Sequence, residues 1–360
     1  GGLVYPSYAG ISKETGRQER QLNIQSSGPD ELGRVYKSEY SFVDYKPQIN
    51  FMPRLAFSFP ISDDAGFFAH YDVLYQRPPS NSFSSALDFY FWEDIARING
   101  GGPMDNPNLK PVRTVDYEAG FQQKLSEVMA FKMSAYYKEM KDLIQQRVLA
   151  NVASPLNTYK IFDNLDFGTV KGFSFTLDRR RTNNMELSAT YTLQFADGSG
   201  SDANSSSGIN TRGPIRNLIP LSFDERHRIT AVIDYRYGSG KSYDGPRIGN
   251  VNILEDFGVN ITSFLVSGQP YTKNSDPASF GGVGYAGSIN GARLPWNFTT
   301  DLNVQKRFPI TISSESNKKM WFNAYFRVQN LFNTKNIVNV YKFSNDAEND
   351  GYLQSSFGQD

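Results

Sequence analysis

Between Phe51 and Val328, apolar and polar side chains alternate at every second position in one segment after another. Phe51, Leu55, Phe57, Phe59 and Ile61 alternate with Met52, Arg54, Ala56 and Ser58, and after Ser62-Asp63-Asp64-Ala65 the pattern resumes with Phe67, Ala69, Tyr71, Val73 and Tyr75. Successive side chains of an extended strand point to opposite faces, so this period predicts a hairpin with one apolar and one polar face, closed by a tight polar turn. A second hairpin sets Val115, Tyr117, Ala119 and Phe121 against Asp116, Glu118 and Gln122, then Met129, Phe131, Met133, Ala135 and Tyr137 against Lys132, Ser134 and Lys138. The third runs through Phe173, Phe175 and Leu177, turns at Arg181-Thr182-Asn183-Asn184, and returns through Leu187, Ala189, Tyr191, Leu193 and Phe195. The fourth uses Ile229, Ala231, Ile233, Tyr235 and Tyr237, followed less cleanly by Phe257, Val259, Ile261 and Leu265. The fifth uses Trp296, Phe298, Leu302, Val304 and Phe308, then Phe322, Ala324, Phe326 and Val328 against Asn323, Tyr325, Arg327 and Gln329. The pattern predicts about ten strands of roughly 10 to 15 residues each.

Connections within these pairs are mostly short, with the tightest turns at Ser62, Ser126 and Thr182. Connections between pairs are long, including Arg77 to Arg113, Ala196 to Asp224 and Gly268 to Pro295. In an up-and-down antiparallel sheet alternate connections lie at the same end, so the long loops are expected to crowd one rim and the short turns the other.

Composition decides what the two faces meet. The 360 residues carry 37 basic and 37 acidic side chains, two histidines and no cysteine, which gives no support to nucleic acid as a partner and leaves no disulfide framework. No composition shift cuts the chain into domains. Mean hydropathy is negative, and no apolar run reaches the roughly 18 residues of a helical span. Gly1-Gly2-Leu3-Val4-Tyr5 is not a signal peptide. Aromatic residues make up 14% of the chain, and tyrosine and tryptophan collect toward strand ends at Tyr71, Tyr75, Tyr136, Tyr137, Tyr235, Tyr237 and Trp296, as amphipathic rings do at a membrane boundary. The polar faces hold Ser, Thr, Asn, Gln and mixed charge, which suits a wet lumen better than bulk water. A large soluble β-sandwich is the competing reading. The strands exceed its usual five or six residues and match the roughly 9 to 11 tilted residues that cross the apolar slab. The expected fold is therefore all-β, an antiparallel transmembrane β-barrel of outer-membrane type in the bacterial outer membrane.

Several short motifs then resemble a family. Asn106-Pro107-Asn108-Leu109-Lys110-Pro111 followed by Tyr117-Glu118-Ala119-Gly120-Phe121, and Ala135-Tyr136-Tyr137-Lys138 with Lys141-Asp142-Leu143-Ile144, are similar to a stretch of TonB-dependent outer-membrane receptor barrels. Gly168-Thr169-Val170-Lys171-Gly172-Phe173, Asp224-Glu225-Arg226-His227-Arg228 and Val328-Gln329-Asn330-Leu331-Phe332-Asn333 resemble the same barrels in the same order. Each motif is weak alone; their colinearity over most of the chain is specific. The resemblance is nearest to large Bacteroidetes-type receptors, including an Oar-like group with a regulatory β domain ahead of the plug. It implies a barrel of about 22 strands with a plug in its lumen, a TonB-type energy-coupling complex acting through that plug, outer-membrane lipid around the wall, and a surface lipoprotein or secreted protein as a further partner. The plug and the terminal aromatic strand of such a receptor are expected to lie outside this chain, which on this resemblance forms a partial barrel. Residues 1–48 are expected to be an extracellular loop region, 49–344 about ten barrel strands, and 345–360 the start of an exterior loop.

No residue group calls for catalysis, a cofactor or a metal. His70 and Asp72 share the polar face and would make a general-base pair in an outer-membrane hydrolase. No serine or second acidic pair accompanies them, so a lumen hydrogen bond is the plainer reading. His227 reads as part of a charged strand start. Asn345-Asp346-Ala347-Glu348-Asn349-Asp350-Gly351 offers oxygens without the spacing of a calcium loop. Asp197-Gly198-Ser199-Gly200-Ser201-Asp202 reads as a flexible loop, and Asn99-Gly100-Gly101-Gly102 lacks the residues of a phosphate cradle. Arg179-Arg180-Arg181 sits at a tight turn, where water or inner-leaflet head groups would meet it. Solute recognition is expected from Phe89, Tyr90, Phe91, Trp92 and Asp94, in an unusually apolar stretch of the first long loop. The expected function is energised import of a bulky solute; the alternative is a surface or secretion-associated barrel that binds protein.

Overall fold

A computed structural model of the chain describes residues 47–78, 103–104, 106, 109–150, 158–205, 217–282, 284–313, 318–356 and 358, with short strand pieces at 4–6, 9–11, 18–19 and 42–44. Ten long strands form one continuous sheet: β1 (Arg54–Ser62), β2 (Ala65–Gln76), β3 (Val112–Ser126), β4 (Met129–Ala150), β5 (Thr158–Thr182), β6 (Met185–Gly198), β7 (His227–Arg236), β8 (Phe257–Val266), β9 (Asn297–Ser313) and β10 (Lys318–Val328). Each pairs antiparallel with its sequence neighbour, so the order in space is the order in sequence. The sheet is open, with β1 and β10 at its edges. No helix among the described residues is long and apolar enough to cross a membrane.

Register turns the alternation into two continuous surfaces. On one face Phe67 pairs with Phe121, Phe121 with Met133, Met133 with Phe175 and Phe175 with Tyr191. The series goes on from Tyr191 to Ile229 and Leu265, and Ile261 meets Leu302 and then Val328. Aromatic rings link up across this face. Phe121, Phe131, Phe175, Tyr191, His227 and Trp296 form an unbroken series with centroids 5.5–6.4 Å apart. Tyr71, Tyr117 and Tyr137 form a second row nearer the long-loop end. A sheet of soluble protein would bury such a face, but in this sheet Leu55, Phe57, Phe173, Phe326 and their neighbours are exposed. Lipid is the solvent that makes this arrangement favourable.

The opposite face is polar. Arg54, Asp72, Asp116 and Lys138 align in one row, with Lys138 Nζ 2.7 Å from Asp116 Oδ2. Two glycines shape this wall. A Cβ on Gly120 would stand 2.6 Å from the tip of the Phe68 ring, and one on Gly172 would stand 2.6 Å from the Tyr136 hydroxyl. Each aromatic ring therefore occupies space over a strand that has no side chain at that point. Tyr136 was expected in the interfacial belt beside Tyr137; alternation sends it to the lumen instead, where its hydroxyl donates to Gln194 Oε1 at 3.2 Å.

Two expectations about lengths need correction. β4 has 22 residues and β5 has 25, well beyond the expected span, because this hairpin continues past the apolar slab. Backbone irregularities around Asn164, Asp166 and Gly168 break its alternation there and hid the extension. The fourth pair is joined not by a short turn but by residues 237–256, which hold a 3-10 turn at Gly240–Ser242 and a small hairpin, Arg247–Ile248 with Val251–Asn252.

Replacing Phe175 by Arg is expected to cost about 2–4 kcal/mol, the usual cost of a cation on the lipid face near mid-depth, while Ser174→Arg on the lumen face should cost far less. Urea unfolding of the barrel from lipid vesicles checks the contrast, and equal costs would refute the assignment of the two faces to lipid and lumen.

Candidate functional site

The first three long connections lie at the end of the sheet where β4 ends and β5 begins, and there the described loops are folded rather than loose. Leu109 is 2% exposed at the entry to β3. Its neighbours are fixed by β5: Asn164 accepts from the Lys110 amide at 2.7 Å and donates to the carbonyls of Lys110 and Asp142 at 3.0 and 2.7 Å. Asn106 donates to the Phe162 carbonyl at 2.9 Å. A single asparagine side chain, with its paired donor and acceptor, thus closes the start of β3 onto the extended hairpin.

Asp224 is the second anchor. Its carboxylate is 0% exposed; Oδ1 accepts from the Ala196 amide at 3.0 Å and Oδ2 pairs with Arg226 at 3.2 Å and with Arg293. Arg293 also donates to the carbonyls of Asp224 and Gly268, at 2.7 and 3.3 Å. One buried carboxylate therefore ties the end of β6, the start of β7 and the β8–β9 loop together. Beside it Val170, Ala196 and Leu221 pack with Tyr136 and Met140 into a small apolar cluster. His227, next along, presents its ring to the lipid face between Tyr191 and Trp296, and its Nδ1 lies 3.0 Å from the Tyr191 hydroxyl. It is an interfacial ring, as a strand start would have it.

The serine-glycine stretch after β6 contradicts its flexible reading, since Ser199 is buried and its hydroxyl donates to Asp166 Oδ1 at 2.8 Å. Asp166 lies above the Tyr71–Tyr117–Tyr137 row, on the exterior extension of β5, and its Oδ2 is buried without a partner among the described residues. Burial pushes this carboxyl up to about 6, the Ser199 bond opposing and the charge of Asp202 adding to the rise. A Cβ on Gly200 would meet Asp166 Oδ2, so only glycine lets the loop close over the acid.

The last motif ends β10. Asn330 takes φ +53°, a left-handed geometry that asparagine tolerates, and its side chain brackets the turn by accepting from the Thr334 amide and donating to the Thr334 carbonyl, each at 3.0 Å. Its own amide donates to Asp301 at 2.9 Å, and Phe332 stacks on Phe298. In the loop that follows, Asp346 accepts from the amides of Glu348 and Asn349, which hold it below the ordinary carboxylate value. Asp350 accepts from Ser279 and from the Tyr352 amide. These acids cap backbone, and among the described residues no cluster of three metal-ligating side chains forms.

His70 does project to the lumen face with Asp72, but its register partner is Glu118 and its ring packs 5.7 Å from Phe68. The expected ligand-binding residues Phe89, Tyr90, Phe91, Trp92 and Asp94 lie outside the described residues, as does the Asn99–Gly102 run.

A family model described as the TonB dependent receptor-like β-barrel matches residues 33–331. The chain belongs to the TonB-dependent receptor β-barrel family. Members of this family are outer-membrane transporters rather than enzymes. The pyoverdine outer-membrane receptor FpvA from Pseudomonas aeruginosa PAO1 bound to pyoverdine matches at 13% identity and TM-score 0.51 over 86% of this chain and 36% of that one. The ferripyoverdine receptor of P. aeruginosa bound to ferripyoverdine gives 11% and 0.49 over 85% and 32%, and the outer-membrane transporter YddB from Escherichia coli 13% and 0.49 over 79% and 37%. No curated protein matches in sequence. The chain spans about a third of the length of the solved receptors it resembles. In a TonB-dependent receptor barrel the short turns face the periplasm and the long loops the exterior, which makes the Asp224 and Asp166 anchors part of an exterior crown.

Asp224→Ala should strip the crown of its central acceptor and leave the buried side of Arg293 unpaired, a loss of about 3 kcal/mol or more at this site. Hydrogen exchange at the Ala196 amide is the readout, and unchanged protection would deny the anchor role. Asp166 supplies a pH dependence. Its closed-state pKa lies above the ordinary carboxylate value, so closure is strongest below that value and is lost as pH rises through about 6. Exchange protection of residues 199–205, corrected for intrinsic rate, should fall as pH is raised through that value, and Asp166→Asn should flatten the change.

Proposed function

We propose that this chain is the later part of a longer receptor whose exterior crown binds a bulky solute, and that a TonB-type complex acting through a plug energises its import. The family match over most of the chain carries this reading. The folded crown supports it: loops tied down by Asn164, Asp224 and Asn330 offer a shaped rim, and ordering in advance lowers the cost of binding. The lumen wall, with its row of Arg54, Asp72, Asp116 and Lys138, is a polar lining suited to a plug and to a hydrated passage. Asp116 Oδ1 and Asn303 Oδ1 face inward, buried and without hydrogen-bond partners among the described residues.

In this reading Phe89, Tyr90, Phe91, Trp92 and Asp94 contact the solute, residues 1–48 and 345–360 contribute to the exterior loops, and the nearest group is the Bacteroidetes-type, Oar-like one, with a surface lipoprotein as a further partner. The alternative is a barrel of the same family whose loops hold a secreted protein.

The test is depletion of solutes from growth medium, followed by mass spectrometry, in cells that express the full receptor with and without the coupling complex. One bulky solute should disappear about tenfold faster when coupling is intact, and Trp92→Ala with Asp94→Ala should slow that uptake by a similar factor. Depletion that persists without the coupling complex sinks the import reading, and a stably bound protein with no depleted solute favours the alternative.

A further inference from the structure

Among the described connections of the short-turn rim one is long, and its construction points to a ligand. Residues 237–256 form a compact fold where the β1–β2, β3–β4 and β5–β6 hairpins at this rim need only tight turns. Its centre is Tyr243, 3% exposed, whose hydroxyl donates to the Pro246 carbonyl at 2.5 Å and accepts from the Leu254 amide at 3.1 Å. Glu255 accepts from the Gly240 amide and from Asn252. Asp244 accepts from Asn184 at 2.6 Å, which ties the loop to the β5–β6 turn, and Asp256 pairs with Arg307 at 3.0 Å. All three acids of the loop are thereby held by partners within the protein.

The direction of the loop follows from its contacts. Tyr235 pairs with Met185 and Val259 and belongs to the lipid face; Tyr237, two residues on, shares that face and meets Tyr235 at 5.3 Å. Tyr243 packs on Tyr237 at 5.8 Å. Lys306, on the lipid face between Val304 and Phe308, donates to the Ile253 carbonyl. The loop therefore folds outward beneath the lipid-facing wall, not inward under the lumen. What it presents there is Ile248 and Val251, 72% and 67% exposed at the tip of its small hairpin, with the exposed cations Lys241 and Arg247 close by in the chain. Of the three arginines at the adjoining turn, Arg181 is engaged by Glu186 and Asp234, and Arg179 stands on the lipid-facing register.

We propose that residues 237–256 are a membrane foot: Ile248 and Val251 enter the periplasmic leaflet of the outer membrane, and Lys241, Arg247 and Arg179 receive the phosphates of anionic phospholipids. Continuity with the lipid-exposed belt through Tyr235 and Tyr237, and an exposed apolar tip flanked by exposed cations, of which Arg247 rests on the Tyr243 ring, select lipid as the occupant over a soluble periplasmic protein. Gly249 at the hairpin turn, with φ +57° and open space around it, lets the tip bend tightly without a side chain of its own.

The full receptor carrying Ile248→Cys is labelled with a polarity-sensitive fluorophore and placed in nanodiscs of phosphatidylethanolamine with phosphatidylglycerol, against the unsubstituted parent as background. The label should emit as an apolar probe, be quenched by spin-labelled lipid several-fold more than by aqueous iodide, and lose this difference in detergent. A second variant, Lys241→Glu with Arg247→Glu, is checked for barrel folding by heat-dependent gel mobility and should retain phosphatidylglycerol about fivefold more weakly per reversed charge. Iodide quenching as strong in nanodiscs as in detergent overturns the proposal. So does a label that becomes protected only when periplasmic extract is added, which would assign the loop to a protein. Equal phosphatidylglycerol retention by the charge-reversed variant overturns the head-group assignment.

Discussion

A peptide group in hydrocarbon has no water to bond with, and this single constraint organises the molecule. Each strand must give its amides and carbonyls to its neighbours over the whole apolar depth, which antiparallel pairing in sequence order achieves with the shortest connections. Once the ladder is fixed, alternation decides everything else about a side chain. Odd and even positions of one strand meet two different solvents, and a slip of one residue would exchange lipid and lumen along its entire length. That is why the aromatic series from Phe121 to Trp296 stays continuous across several strands, while Arg54, Asp72, Asp116 and Lys138 hold the other side at one level.

The same constraint weakens where the chain leaves the slab. Beyond it water and loops supply hydrogen bonds, so β4 and β5 tolerate the irregularities near Asn164 and Asp166 and use them. Asn164 turns a break in the ladder into a clamp on the loop before β3. Asp166 turns another into a buried acid covered by Ser199 and Gly200. Order in the crown thus rests on a few buried polar groups, where order in the wall rests on repetition.

This division explains what the sequence made legible. Ten strands, their pairing and the lipid-facing residues follow from period-two alternation, since in the wall each residue's face is set by its neighbours' faces. Tyr136 escaped because composition at a strand end is a poorer guide than parity; beside Tyr137 it had to face the other way, and the missing side chain of Gly172 across the strand was the signal. The length of the β4–β5 hairpin was hidden by Lys141, Asp142 and Asp166, which interrupt the pattern once lipid no longer enforces it. Ser199 and Gly200 read as flexible because small polar residues look alike whether solvated or packed on an acid distant in sequence. The loop 237–256 carries the signature of a turn region, and only the stacking of Tyr243 on Tyr237 gives it a direction.

The motifs that resemble the family all sit where the geometry is special. Leu109 and Lys110 lie at the clamp before β3, Gly168 and Gly172 where Met140 and Tyr136 press against the backbone, Asp224 at the hub of the crown, and Asn330 at the left-handed end of β10. Between them a strand needs only an apolar residue at one parity and a polar one at the other, a demand that many side chains meet equally well. A wall specified by pattern and a rim specified by identity reconcile a 13% identity to the solved pyoverdine receptor with a shared fold. The consequence reaches function: apart from Gly120 and Gly172, where no Cβ fits, exchanges within a wall face should be nearly free, whereas the clamp, hub and strand-end residues fix the crown from which any solute-binding loop must project.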